Sequence, residues 1–187
     1  LIRIKQALNS SHNFAVTPAL GKRKEKYLLR IGSHKIYDDL ERIGVHPRKS
    51  HNMRLPSIQR QYLPDFIRGY FDGDGSIIVE SVNNRPYNRL KVIFTSGSKD
   101  FLLSMLCNLR HCCSEGMAKV YNSHRSYQLV YRSIDALNSL KYIYSTVDEN
   151  GSLCLERKYH KYKQLVTSPD KIRCGNLFDK SSNIWSY

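Results

Sequence analysis

Apolar residues recur along the chain with two periods, one typical of helices and the other of half-buried strands. Leu90, Val92 and Phe94 alternate with polar and cationic residues, as in a strand with one face in a core. Ile36 and Leu40 fall four apart, on one face of a helix that begins at a capping serine. The predicted helices cover 1–8, 33–44, 63–75, 100–109, 133–144 and 157–166, and the predicted strands cover 12–16, 27–31, 76–82, 89–95, 117–121 and 126–131. Helices interspersed with hairpins predict the α+β class.

The two halves of the chain share this order of elements. Residues 27–33 align with 127–133 at an offset of 100 positions, and Leu40 and Ile43 then meet Leu140 and Ile143. Such self-similarity predicts two copies of one αββαββα-type unit, of which the first lacks its central helix and first hairpin. We therefore expect the chain to begin inside its first copy. The expected parts are the remainder of a first repeat with a linker (1–62), a second repeat (63–167) and a C-terminal tail (168–187).

The helix predicted at 63–75 has two unusual faces. Gly69 and Gly73 lie four apart, so a second helix can approach this one backbone to backbone. Asp72 and Asp74 crowd the last turn, where the helix dipole disfavours each carboxylate by about 0.3–1 kcal/mol, so a cation should offset them. We expect Gly75 to close the helix in a left-handed conformation.

A calcium loop of the EF-hand type does not fit these acids. A loop that starts at Asp72 needs Gly at its sixth position and Glu at its twelfth, and the chain has Ile77 and Asn83 there. The five cysteines include no CxxC pair, which argues against a zinc ribbon or a disulfide framework and favours a reducing compartment.

The net charge of the chain indicates the class of its binding partner. Thirty Lys and Arg against sixteen Asp and Glu give a net charge of +14, with thirteen tyrosines interspersed. This composition predicts nucleic-acid binding, with a merely basic surface as the alternative. No apolar run approaches the roughly 18 residues of a membrane helix, and no secretion signal is visible, so we expect a cytoplasmic or organellar protein with no membrane partner.

The stretch 67–75, IRGYFDGDG, resembles the nine-residue motif that names the LAGLIDADG homing endonucleases. The positions that match outright are Gly69, Asp72, Asp74 and Gly75. Arg68 departs from the usual Ala of the motif. The resemblance extends over roughly residues 1–166, and it implies motif helices packed together through Gly69 and Gly73. It also implies four-stranded antiparallel sheets that form a saddle over DNA, with the helices on one face.

The resemblance further implies a site for phosphodiester cleavage. Asp74 corresponds to the metal-binding acid of the family, and Asp72 is a second metal candidate or a support for the helix end. The implied cofactor is Mg²⁺, which prefers hard oxygen ligands. Lys158 and its repeat counterpart Lys49 are the candidate catalytic lysines.

By the same geometry, alternate residues of the hairpins should contact double-stranded DNA, because a β-ribbon in the major groove reads base edges. The predicted DNA-binding residues are Ser76, Ile78, Glu80, Asn84, Arg89, Lys91, Ile93, Thr95, Lys119, Tyr121, Ser126, Gln128 and Arg132, with Lys26 and Arg30 from the first copy.

The leading interpretation is a sequence-specific, metal-dependent DNA endonuclease from an intron, an intein or a free-standing reading frame. The alternative is an inactive relative on the same fold, either a maturase that binds intron RNA or a transcription regulator. Because one motif supplies one metal-binding acid, we expect either a preceding motif segment or a homodimer partner to complete the site.

Overall fold

The computed structural model describes residues 1–47, 53–81, 88–110, 118–148 and 152–167. They belong to two compact units, the first from Leu1 to Ile43 and the second beginning at Gly44. The first unit contains α1 (Ile2–Ala7), β1 (Phe14–Thr17), β2 (Lys26–Leu29) and α2 (His34–Arg42). Its strands pair antiparallel, and the Ser33 hydroxyl caps α2 by accepting a hydrogen bond from the Ile36 amide at 3.3 Å.

The second unit contains most of the regular structure. A single 3₁₀ turn (Arg60–Tyr62) leads into α3. The elements that follow are α3 (Leu63–Asp74), β3 (Gly75–Ser81), β4 (Asn88–Ser96), α4 (Lys99–Leu109), β5 (Lys119–Ser123), β6 (Ser126–Arg132), α5 (Ser133–Ile143) and α6 (Glu156–Thr167). The strands form one antiparallel sheet in the order β3-β4-β6-β5. The predicted α+β class and the αββαββα order from α3 to α5 are confirmed.

The core lies between the helices and one face of this sheet. Leu90, Val92 and Phe94 of β4 are fully buried, as the alternation predicts. The Phe94 ring packs against Phe71 of α3 at 5.1 Å between centroids and against Tyr131 of β6 at 6.1 Å. Burial of each such side chain stabilises the fold by roughly 1.5–3 kcal/mol. The helices α3, α4 and α5 pack against the strands of this sheet, and alternate residues of the strands point to the opposite face.

The expected left-handed conformation at Gly75 is wrong. Gly75 has φ −88° and ψ 164°, an extended backbone that any residue adopts. Glycine is needed for space instead, since a Cβ at this position would lie 2.0 Å from Cδ2 of Phe71. The helix therefore ends by running straight into β3, without a loop between them.

None of the helices in the described ranges is long and apolar enough to cross a membrane.

Candidate active site and nucleic-acid interface

Asp74 is the last residue of α3 and is exposed. Its carboxylate makes no hydrogen bond or ion pair with the described part of the chain. Since α3 continues directly into β3, Asp74 stands two residues before Ser76, the first exposed residue of that strand. An unengaged carboxylate is thus presented where the helix meets the sheet.

The Asp72 carboxylate accepts hydrogen bonds from two other parts of the chain. One carboxylate oxygen accepts a hydrogen bond from the Leu155 amide at 2.7 Å, and the other lies 3.5 Å from the Tyr144 hydroxyl, which donates to it. Burial raises the pKa of Asp72, and the hydrogen bond from Leu155 opposes that rise. Asp72 therefore joins the end of α3 to the segment before α6, the supporting role that the resemblance allows for it.

Lys158 supplies the positive charge that was expected near Asp72 and Asp74. Its side chain lies in α6 with 5% exposure, and its ammonium donates to the carbonyl oxygens of Phe71, of Asp72 at 3.0 Å and of Gly75 at 2.6 Å. Burial lowers the pKa of Lys158, and the Asp72 carboxylate opposes that change. Because an ammonium has three donors, all are directed at the backbone here. Lys158 caps the helix, and its catalytic role stays a prediction.

Arg68, which departs from the motif, has a structural role that was not predicted from the sequence. It is 5% exposed, and its guanidinium donates to the carbonyls of Leu153 at 3.0 Å and Ile143 at 3.2 Å and to the Thr146 hydroxyl at 2.7 Å. Its other nitrogen pairs with Asp65 at 2.7 Å. The signal was present, since Arg68 interrupts a helix stripe that is otherwise apolar.

Lys161 was also missed. Its ammonium donates to the Ile77 carbonyl of β3 at 2.8 Å, one turn of α6 beyond Lys158. The available signal was again a position, because Lys161 follows Lys158 by about one turn and lies beside the buried stripe that Lys158 and Leu165 form on α6. A lysine in such a stripe needs acceptors, and backbone carbonyls supply them.

The donor set fits part of a magnesium site. Mg²⁺ prefers oxygen ligands, and Asp74 offers both carboxylate oxygens. Asp72 already accepts two hydrogen bonds, and the Gly75 carbonyl is bound by Lys158. Among the described residues, no three His, Cys, Asp or Glu side chains come together as a metal cluster. These residues therefore fit a site in which Asp74 is one ligand and others come from outside them.

The glycine face of α3 is open. Gly69 and Gly73 are exposed, and among the described residues no neighbouring atom lies within 4 Å of a Cβ built on either. This leaves room for the close helix approach that the motif implies. The packing of a second helix on Gly69 and Gly73 stays a prediction.

Strand register brings the predicted DNA-binding residues of the second unit to one face of the sheet, which we call the outer face. Ile78 pairs with Lys91, which pairs with Arg132, and Thr95 pairs with Gln128, which pairs with Tyr121. The predicted residues that share this face are Ser76, Ile78, Glu80, Arg89, Lys91, Ile93, Thr95, Lys119, Tyr121, Ser126, Gln128 and Arg132. Val130, which was not predicted, shares the face between Ile93 and Lys119 and is 5% exposed. Their contact with DNA stays a prediction.

Two contacts preorganise the outer face. Lys91 pairs with Glu80 at 2.7 Å, and the Arg132 guanidinium lies 5.3 Å from the centre of the Tyr121 ring, whose hydroxyl accepts its hydrogen bond at 3.1 Å. Partly exposed contacts of this kind contribute little to stability, so these cations are available for a ligand. Arg89 and Lys119 are exposed.

The remaining predicted residues lie elsewhere. Lys26 begins β2 and Arg30 follows it, both exposed in the first unit. Asn84 and Lys49 fall outside the described residues, as does the predicted tail 168–187.

Comparison with known proteins identifies the central stretch. Residues 62–106, which span α3, β3, β4 and most of α4, match the family model of a LAGLIDADG-like domain. The chain is 32% identical over 141 residues to the probable translation initiation factor IF-2 of Methanocaldococcus jannaschii. That match covers 70% of this chain and 11% of the relative. The crystal structure of a homing endonuclease, I-TnaI, aligns with a TM-score of 0.43 at 18% identity, over 63% of this chain and 76% of that one.

The matched residues carry the acidic end of α3 and the first two strands of the outer face. Residues 62–106 of this chain therefore match a LAGLIDADG-like domain.

Proposed function

We propose that this chain forms part of a sequence-specific DNA endonuclease that makes a Mg²⁺-dependent double-strand cut at a long site. One observation carries the proposal: the unengaged Asp74 carboxylate ends the helix that runs directly into the outer face. The outer face presents Arg89, Lys91 and Arg132 on adjacent strands. An acid at the edge of a cationic β-surface places metal chemistry next to a bound phosphate backbone.

The chain's own residues divide the work of cleavage. The outer face binds and orients the duplex, with cations on phosphates and polar side chains on base edges. Asp74 would hold a divalent cation, which when bound neutralises charge on the phosphate and lowers the pKa of a bound water. Arg68, Asp72 and Lys158 hold the end of α3 in place.

The partner we propose is a second motif helix with its hairpin. Ile36, Leu40 and Ile43 of the first unit are 36–41% exposed, whereas Leu140 and Ile143 at the corresponding positions are fully buried. In the second unit, α3 and β4 pack against α5, which carries those residues. An equivalent segment, from the same gene product or from another copy, would cover the first unit and bring a second acid.

The similarity to an initiation factor supports an origin within a host protein. The matching stretch is 11% of that relative's length, as for an element inserted into a longer reading frame. We therefore place an intein origin ahead of an intron or free-standing origin, with action on DNA in the cytoplasm of the host cell.

Asp74→Asn is expected to lower the rate of cleavage at least ~100-fold, because loss of a metal ligand removes several kcal/mol of transition-state stabilisation. A randomised duplex library is first mixed with the protein, together with any preceding segment its gene encodes, in Mg²⁺ or in EDTA. Recovery of one long site, cut only with Mg²⁺, supports the endonuclease.

The matched control is Asp100→Asn, an exposed acid in the first turn of α4. We expect it to cut like the wild type. Selective binding without cutting by the wild type would instead favour the maturase or regulator, and an absence of any preference for DNA would overturn the proposal.

Arg89→Gln is expected to reduce the steepness of the salt dependence of duplex binding by about one unit of slope, because one phosphate contact is lost. Lys99→Gln, which removes another exposed cation, at the start of α4, should leave the slope unchanged. Binding constants for a random-sequence duplex between low and moderate salt give both slopes. Equal slopes for the two variants would mean that the outer face does not bind the duplex.

A further inference from the structure

The ammonium of Lys158 binds the backbone on both sides of Asp74. Two of its acceptors, the carbonyls of Phe71 and Asp72, precede Asp74, and the third, the carbonyl of Gly75, follows it. The cation also lies 4.8 Å from the centre of the Phe71 ring. The last carbonyls of a helix have no partner within the helix, and Lys158 places a positive charge at the negative end of the α3 dipole.

The same helix reaches the strand that follows. Lys161 donates to the Ile77 carbonyl at 2.8 Å, and the Leu155 amide donates to Asp72. Residues before and within α6 thus contact the backbone or side chains of α3 and β3 from Phe71 to Ile77.

Stability alone is a weak reason for a lysine at position 158. The position lies in the buried stripe of α6, where an apolar side chain would avoid the desolvation of a charge. Buried ionic groups are often no more stabilising than apolar residues of similar volume. What an apolar residue cannot do is converge on three carbonyls and hold them in one arrangement.

We propose that Lys158 is a positioning residue, which fixes the α3–β3 junction and so presents the Asp74 carboxylate in one direction. It acts through the backbone and touches neither metal nor DNA. The effect of Lys158 on metal binding rests on the proposed function. Its effect on the conformation of the α3–β3 junction does not.

The first test uses the wild-type chain, so folding of a variant is not an issue. In ¹⁵N-lysine NMR, the Nζ hydrogens of Lys158 should exchange slowly with water, because all are hydrogen-bonded and buried. Their resonance should stay unchanged when Ca²⁺ and a duplex are added together. A resonance that shifts strongly on this addition would mean that Lys158 contacts the phosphate or the metal, and it would overturn the positioning role.

The second test compares Lys158→Met with Lys161→Met, below the melting temperature of both. Peptide-resolved hydrogen exchange over 71–77 should rise at least ~10-fold in Lys158→Met and much less in Lys161→Met, with α5 unchanged. Tb³⁺ binding, measured by luminescence with Asp74→Asn as background, should weaken ~10–100-fold in Lys158→Met, as for loss of other groups that orient metal ligands.

The outcomes separate this proposal from the proposed function. A loosened junction with weakened Tb³⁺ binding supports both. If the junction is loosened in Lys158→Met but the wild type binds no Tb³⁺ above background, the result supports the positioning role of Lys158 and counts against the metal site. Unchanged exchange and unchanged Tb³⁺ binding in Lys158→Met, with only a lower melting temperature, would overturn the positioning role.

Discussion

Replacing Arg68 by Ala should lower the free energy of unfolding of the second unit by about 3–5 kcal/mol, the range for breaking a buried ionic network. The guanidinium, in a side chain that is 5% exposed, satisfies two carbonyls and the Thr146 hydroxyl, and it pairs with Asp65, whose side chain is 42% exposed. Truncation leaves those carbonyls without a donor, and an unsatisfied buried polar group costs about 1–3 kcal/mol. Urea unfolding, followed by circular dichroism, measures the loss.

Arg42→Ala is the matched control for this prediction. Arg42 and Asp39 form the same pair three residues apart on a helix, at 2.9 Å, but the two side chains are 75% and 49% exposed. Exposed pairs contribute about 0–1 kcal/mol, so this variant should unfold at nearly the wild-type midpoint. If Arg68→Ala also changed the midpoint little, the buried network around Arg68 would not hold the second unit together.

Gly75→Ala should destabilise the second unit by about 1–3 kcal/mol, the usual cost of overpacking a filled core. The added Cβ would lie 2.0 Å from Cδ2 of Phe71 and 2.6 Å from its carbonyl oxygen. Phe71 is fully buried against Phe94 and cannot turn aside. Since Asp74 immediately precedes this position, we also expect a lower cleavage rate from protein that remains folded. Thermal unfolding and cleavage assays give the two values.

Gly73→Ala, two positions earlier, should instead stabilise the second unit. In the part of the chain that the structure describes, no neighbouring atom lies within 4 Å of an added Cβ there, and replacing Gly by Ala within a helix stabilises by roughly 0.5–1 kcal/mol. The same variant should weaken packing of a second motif helix, because the bare face is filled. A stable Gly73→Ala chain with unimpaired cleavage would argue against the predicted helix interface.

Much of the second unit could be predicted because its signals are local. The alternation in β4 specified which side chains are buried, and with it the composition of the outer face. The ends of α4 and β6 came within a residue or two of the observed bounds. The motif at 67–75 predicted from sequence alone that Asp74 lies at a helix end, and α3 does end at Asp74.

The sequence by itself determined the order of elements, the charge of the outer face and the acid at the end of α3, because each depends on residues close in the chain. Only the tertiary structure decided why Gly75 is glycine and what Arg68 and Lys158 bind. Those roles depend on the Phe71 ring and on carbonyls as many as 87 residues away. A backbone carbonyl exists at every residue and leaves no mark in the sequence, so the acceptor of a buried cation becomes visible only when the chain has folded.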